Sequence, residues 1–354
     1  MIDLGNTAIN SILGGLLIGL ASTLHLYFNG KITGISGSVF KCITLKDFNY
    51  NFSLLIGMVF ISVFTKCFSF NINNEKFSEK ESEYIGDLSL LGFIIAGFLV
   101  GFGAKMANGC TSGHGICGIP RFSKRSFVAI ALFMIFGGLV STIRYYIPIL
   151  KPFFTPFNSW NNISIYYGTL LFCIISSLIL ILNCLRKGIK EELRDTIIAF
   201  IVGCIFSYGL IQSGMLKRHT IIEFLTLSKI WNMQLIYVLG TAIGFNILSF
   251  RFVLNKSKPI YKLRFDLPIN TQIDNKLIVG ASIFGIGWGL GGICPGTSII
   301  GFYLYCPQTL LFLASMCLGI YLEYVFDAKL TEKIDGNIVT NKINEIKKMG
   351  KKLF

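Results

Sequence analysis

Residues 101–118 read GFGAKMANGCTSGHGICG, and residues 285–294 read GIGWGLGGIC. Laid side by side without a gap, Gly101 meets Gly285, Gly103 meets Gly287 and Cys110 meets Cys294, an offset of 184. The same offset carries Gly19 onto Gly203, Leu26 onto Leu210 and Gly30 onto Gly214. A few matches between glycine-rich helices arise easily by chance. One offset serving two separate regions is much harder to obtain that way, so the chain reads as a duplication.

What is duplicated is a membrane unit. The 354 residues are 53% hydrophobic and only 14% charged, against about 25% charged in a soluble domain. The apolar residues fall in nine runs, 11–28, 51–70, 90–108, 126–143, 165–185, 195–214, 232–250, 276–293 and 308–326. Each is near the roughly 20 residues that a helix needs to cross the hydrocarbon core. The leader MIDLGNTAIN holds an aspartate and no Lys or Arg, the reverse of a basic signal-peptide start, so the first run is expected to stay as a span.

Charge orients these spans. The net charge is +14. Segments after the odd-numbered runs hold 22 of the 32 Lys and Arg, the alternate segments hold 7, and Lys66, Lys105 and Lys276 sit at or inside run ends. Such alternation follows the positive-inside rule and predicts an external N-terminus and a cytosolic C-terminus. The basic tail INEIKKMGKKLF then lies near anionic lipid on the cytosolic face. No nucleic-acid motif accompanies the charge, and no nucleic-acid partner is expected.

Four runs on each side of run 5 divide the chain into a first membrane repeat (1–150), a connector helix (151–190), a second repeat (191–330) and the tail (331–354). An odd number of crossings between equivalent helices makes the second repeat enter from the opposite face. That is an all-α inverted repeat of about nine transmembrane helices, the architecture of many secondary transporters, with short re-entrant helices and loops meeting at midplane.

Four glycine-bearing segments follow long runs: NGKITGISG (29–37), NGCTSGHGICG (108–118), SGMLKRHT (213–220) and GGICPGTS (291–298). Broken backbone at membrane depth is tolerated where it is buried in protein or lines a polar path. Free N–H groups at a half-helix start attract anions. Two such sets entering from opposite faces make an anion-friendly waist with a thiol from each half. Candidate lining residues are Gly109, Cys110, Thr111, Ser112 and His114 in the first repeat, and Cys294 and Gly296 in the second. Gly19 and Gly101 read as close helix packing. Lys105, three residues before the second segment, either faces the cavity or snorkels to the interface.

Other chemistries use the same residues. Cys110, His114 and Cys117 resemble a partial metal set, but zinc needs a fourth ligand or a water. Cys110 and Cys117 lack the Cys-x-x-Cys spacing of a redox pair. No Walker motif and no carboxylate pair appears among the spans, so neither a cofactor nor an enzymatic reaction is expected.

These segments resemble the YeeE/YedE family of sulphur-compound transporters. The likeness rests on NGKITGISG, on GFGAKMANGCTSGHGICGIPRFSKRS (101–126), on SGMLKRHTIIEFL (213–225) and on GIGWGLGGICPGT (285–297), in the order of two smaller members fused into one chain. It implies an hourglass whose waist thiols assist passage of thiosulfate or a related anion, with Cys110 and Cys294 matching family pore cysteines. It also implies a cytosolic sulphur-accepting protein as a partner, besides the anion and lipid. Thiosulfate-importing members carry a third cysteine in the first loop, where this chain has Thr33. Thiosulfate, sulfite, sulfide and a persulfide therefore all remain as substrates. The alternative function is a membrane sulphurtransferase or thiol redox relay in which Cys110 and Cys294 carry sulphur covalently.

Overall fold

The computed structural model describes residues 4–67, 88–147, 163–186, 190–268, 270–301 and 308–350. Residues 1–3 of the leader, most of the expected external loops 71–89 and 144–164, residues 302–307 and the last four residues of the tail lie outside them.

The described residues are helical, in the order α1 (Leu4–Asn29), α2 (Ile35–Ile43), α3 (Phe48–Cys67), α4 (Leu90–Met106), a π-helical segment (Thr111–Gly118) with a 3-10 turn (Ile119–Arg121), α5 (Lys124–Tyr146), α6 (Ile163–Arg186), α7 (Lys190–Gln212), α8 (Arg218–Leu225), α9 (Gln234–Leu254), α10 (Asn275–Gly291), α11 (Pro295–Gly301) and α12 (Gln308–Gly350). Among the described residues seven helices are long and apolar enough to cross a membrane, and α4 with the π-helical segment, bent by 47°, makes an eighth. The protein is therefore an integral, multi-pass membrane protein. Run 5 lies in α6, a helix of 24 residues, whose apolar stretch among the described residues is Leu171–Leu180. Leu171, Phe172, Leu178 and Leu182 of α6 point outward, and the helix packs on α3 and α7. Beyond its span, α12 continues as helix through most of the basic tail.

Element by element the second half repeats the first. Adding 184 to 90–106 gives 274–290, against Asn275–Gly291 for α10, and adding it to 111–118 gives 295–302, against Pro295–Gly301 for α11. The chain reversals repeat as well. Gly30 (φ 68°) and Gly214 (φ 71°) occupy equivalent positions, as do Asn108 (φ 58°) and Gly292 (φ 65°). All four follow the end of a long helix in the left-handed conformation that stops it, which only Gly and, less readily, Asn adopt at low cost.

The packing is symmetric under exchange of the halves. α1 runs parallel to α9, with Thr23 Oγ1 3.1 Å from Asn246 Oδ1 and 2.7 Å from Ser249 Oγ. Its counterpart pair, α7 and α3, is also parallel: Asn49 donates to Glu192 at 2.7 Å and Ser53 to the Thr196 carbonyl at 2.8 Å. α4 lies along α12 and α5 along α10 in the same way, since Gly97 and Gly101 face Phe312 and Met316, while Gly285 and Gly289 face Phe133 and Gly137. Equivalent helices oppose each other instead. Gln212 of α7 donates to Asn10 of α1 at 2.8 Å while Gly209 meets Ile18, and Gly103 of α4 and Ala107, just past its end, meet Phe284 and Gly280 of α10. Antiparallel contact between counterparts is what inverts one half relative to the other.

Glycine makes these contacts possible. A Cβ on Gly101 would lie 2.0 Å from the Met316 carbonyl oxygen, and one on Gly19 would lie 2.9 Å from the Phe245 ring. Both positions are packing positions, as small residues at transmembrane helix contacts usually are.

The charge split sets the expected orientation. Tags placed at residues 1 and 354 should report opposite compartments, the first outside and the second cytosolic, in a membrane-impermeant labelling assay. Two tags in one compartment would contradict the odd number of crossings.

Candidate functional site

Four chain breaks bring four short helical pieces, α2, the π-helical segment, α8 and α11, between the long helices. Where the halves meet, α2, the π-helical segment and α11 border a cavity with about 50 Å³ of water-accessible space, room for a few water molecules or one small anion. Ile18, Ile35, Ile116, Phe206, Leu210 and Val238 supply part of its apolar wall. Polar groups enter it at few points: Cys110, Thr111 and Ser112 from the first half, and Trp288, Cys294 and Thr297 from the second. Gly296 also lines it.

Each thiol is held by its break. Cys110 precedes the π-helical segment in extended backbone, φ −122° and ψ −166°. Its Sγ lies 3.3 Å from Ser112 Oγ, and Ser112 Oγ accepts the Ile35 N–H at 3.3 Å, which ties the two first-half pieces together. Across the cavity, Thr297 Oγ1 accepts the Cys294 N–H at 2.9 Å and donates back to the Cys294 carbonyl at 3.0 Å. This closed pair fixes the turn before Pro295. The Cys294 thiol lies beside Thr111 and Trp288. Both cysteines are free thiols.

Two buried arginines secure the turn from behind. Arg144 Nη1 donates to the Leu290 carbonyl at 2.6 Å, and Arg218 Nε donates to the Gly291 carbonyl at 2.5 Å. Arg218 also lies 5.1 Å from the Phe93 ring centre. Cations at a helix C-terminus satisfy its unpaired carbonyls and complement its dipole.

The remaining sequence candidates are elsewhere. His114 is buried, with Nδ1 3.1 Å from Ser126 Oγ and Nε2 3.2 Å from the Ala107 carbonyl, so it ties the π-helical segment to α5 and to the end of α4. Gly109 makes room for that ring: a Cβ there would lie 2.7 Å from His114 Nε2. Lys105 pairs with Glu323 at 3.8 Å and covers the Phe40 ring at 4.3 Å. Thr33 is not among the lining residues; its hydroxyl is 2.9 Å from His25 Nδ1. Cys117 faces the Thr33 carbonyl at 3.8 Å. With His114 and Cys117 turned to these partners, the Cys110–His114–Cys117 set does not assemble around a metal. Among the described residues no group of three or more His, Cys, Asp or Glu could hold one.

Trp288 is a lining residue that the sequence reading missed. Its indole Nε1 is buried and has no hydrogen-bond partner among the described residues. In GIGWGLGGIC a tryptophan reads as packing; only its place in the cavity wall gives the N–H another use.

A second, wider cavity of about 520 Å³ opens at the ends of α1, α3 and α7, lined by Lys31, Asp47, Tyr50, Glu191, Asp195 and Lys262 among others.

Comparison with known proteins finds two families, one towards each end of the chain. Residues 4–140 match the family described as Sulphur transport, and residues 194–334 match a family of unknown function, DUF6691. A probable transporter of Xylella fastidiosa (strain Temecula1 / ATCC 700964) is 34% identical over 134 residues, 38% of this chain and 90% of the relative. A probable transporter of X. fastidiosa (strain 9a5c) is 38% identical over 136 residues, 37% of this chain and 90% of the relative.

Proposed function

The chain belongs to the sulphur transport family, and from that premise we propose that it passes a small sulphur-containing anion of the thiosulfate type through the cavity between its halves. The observation that carries this reading is that Cys110 and Cys294, equivalent residues of opposed repeats, line one cavity. A thiol is a weak donor. Several weak donors hold a polarizable anion without trapping it, and conduction needs binding of that kind. The Trp288 N–H adds one stronger donor beside Cys294, and the apolar wall excludes competing water. In this reading the wide cavity is the cytosolic vestibule, the N-terminus is external, and the anion is handed to a cytosolic acceptor.

The test is uptake of radiolabelled thiosulfate, sulfite and sulfide, one at a time, into proteoliposomes of the purified protein. Saturable entry of at least one anion is expected, and absence of entry for all three refutes the reading. Intact-mass measurement after the same exposure separates transport from a sulphur relay, since a relay leaves a lasting adduct on Cys110 or Cys294.

Trp288→Phe should lower uptake about tenfold while the protein stays folded, because a hydrogen bond to a charged group contributes about 1.5–3 kcal/mol. The ring and most of its packing are kept. Unchanged uptake would remove the indole from the anion's path.

A further inference from the structure

Outside the waist, one cluster of buried polar groups has no part in the transport reading so far. His25 lies inside the first span, only 2% exposed. Ionisable groups within spans are expensive and mark ion or proton paths by default. Its Nδ1 is 2.9 Å from Thr33 Oγ1, and its Nε2 is in close contact with Tyr50 Oη. Tyr50 Oη also accepts from Asn29 Nδ2 at 3.1 Å, which leaves the phenolic hydrogen for His25 Nε2 and puts the ring proton on Nδ1, toward Thr33. Asn29 Oδ1 is buried without a partner among the described residues.

This cluster joins the two cavities. Tyr50 lines the vestibule. Thr33, at the other end, sits in the loop that contacts the waist: its carbonyl accepts from Cys117 Sγ at 3.8 Å, and two residues on, the Ile35 N–H reaches Ser112, which touches Cys110. The charges around the cluster are mixed. Lys31 lies 4.0 Å over the Tyr50 ring and 3.7 Å from Asp47. Lys31, Asp47, Asp195 and Lys262 line the vestibule beside Tyr50, Lys41 lies 3.9 Å from Asp47, and the Asp266 N–H bonds to the Gly30 carbonyl. Cations beside the cluster oppose a positive charge on the imidazole. An anion in the vestibule or waist offsets that opposition, so a proton and an anion favour each other's binding. Such coupling is reciprocal by thermodynamic necessity.

We propose that His25 is a proton-binding site, loaded from the vestibule through Tyr50, and that its protonation is linked to movement of the sulphur anion through the waist. In the loading step Tyr50 gives its phenolic hydrogen to His25 Nε2 and takes one from a vestibule hydronium, which leaves as water. Tyr50 is regenerated and His25 becomes an imidazolium, donating from both nitrogens. The driving ion is then the proton. This inference rests on the transport reading above.

The experiment loads proteoliposomes with a pH-sensitive dye and follows internal pH and labelled thiosulfate together, for native protein, His25→Gln and Tyr50→Phe. Native protein should move protons with thiosulfate. Both variants should lose most of the proton movement that accompanies thiosulfate. Thiosulfate entry without proton movement in native protein overturns the inference and leaves the transport reading standing. No thiosulfate entry in native protein overturns the inference and, if sulfite and sulfide also fail, the transport reading. A proton-to-anion ratio unchanged in both variants overturns the assignment to His25. Joint loss of both fluxes from folded variants also overturns it, by placing these groups on the anion's own path.

Discussion

Replacing Cys110 or Cys294 by alanine should reduce thiosulfate uptake about ten- to a hundredfold with little loss of folded protein. Each thiol is one of six polar points in a cavity otherwise walled by apolar side chains. An anion leaving water has few groups to replace its hydration, and losing one donor to a charged ligand costs about 1.5–3 kcal/mol. The structural cost is smaller, about 1–2 kcal/mol for truncating a buried cysteine. Cys173 serves as the control. It is fully buried, but on α6, away from the waist, so Cys173→Ala should transport normally. Uptake rates normalised to folded protein decide the matter. Equal losses at Cys173 and Cys110 would make the cysteines packing groups and end the pore assignment.

The second large effect concerns folding. Gly101→Val should destabilise the protein by about 3 kcal/mol, the upper part of the overpacking range, and sharply reduce the yield of monodisperse protein in detergent. A Cβ there meets the Met316 carbonyl oxygen at 2.0 Å. The obstacle is backbone, so no rotamer change relieves it and α4 must separate from α12. Gly244→Ala gives the contrast. No atom lies within 4 Å of a Cβ at Gly244, and alanine in a helix is better than glycine by about 0.5–1 kcal/mol. That variant should melt at or above the native temperature. A native melting curve for Gly101→Val would show that the α4–α12 contact can open without penalty.

The bilayer, the duplication and the two cysteines that line the cavity were legible because their signals are local. Apolar runs are measured by length alone, and Gly30, Gly214 and Gly292 announce helix ends wherever they occur. Asn108 stands where its counterpart is glycine, so the offset still holds there although the residue type does not. The rest of the site was hidden by distance along the chain. Tyr50 is 25 residues from His25 in sequence, and nothing beside His25 in its apolar run marks a partner. Arg144 and Arg218 bond to carbonyls of Leu290 and Gly291; a backbone acceptor carries no residue type to search for. Thr33 was read by position in its loop as a waist residue, whereas its hydroxyl is set by His25, a residue on another element.

The pairing of helices across the halves has a consequence for synthesis. α1 packs chiefly on α7 and α9, and α4 on α10 and α12, so the main partners of the early helices are made late. A ribosome adding about 5–20 residues per second needs on the order of 10–40 s to make the 184 residues between equivalent helices. For that interval the first repeat waits in the bilayer with Gly97, Gly101 and Gly103 uncovered and His25 inside a helix that has yet to meet its neighbours. Insertion machinery or lipid must occupy those faces until the second repeat arrives. A ribosome stalled between the halves releases a chain whose α1 and α4 lack their main partners, which quality-control proteases can recognise by that exposed surface.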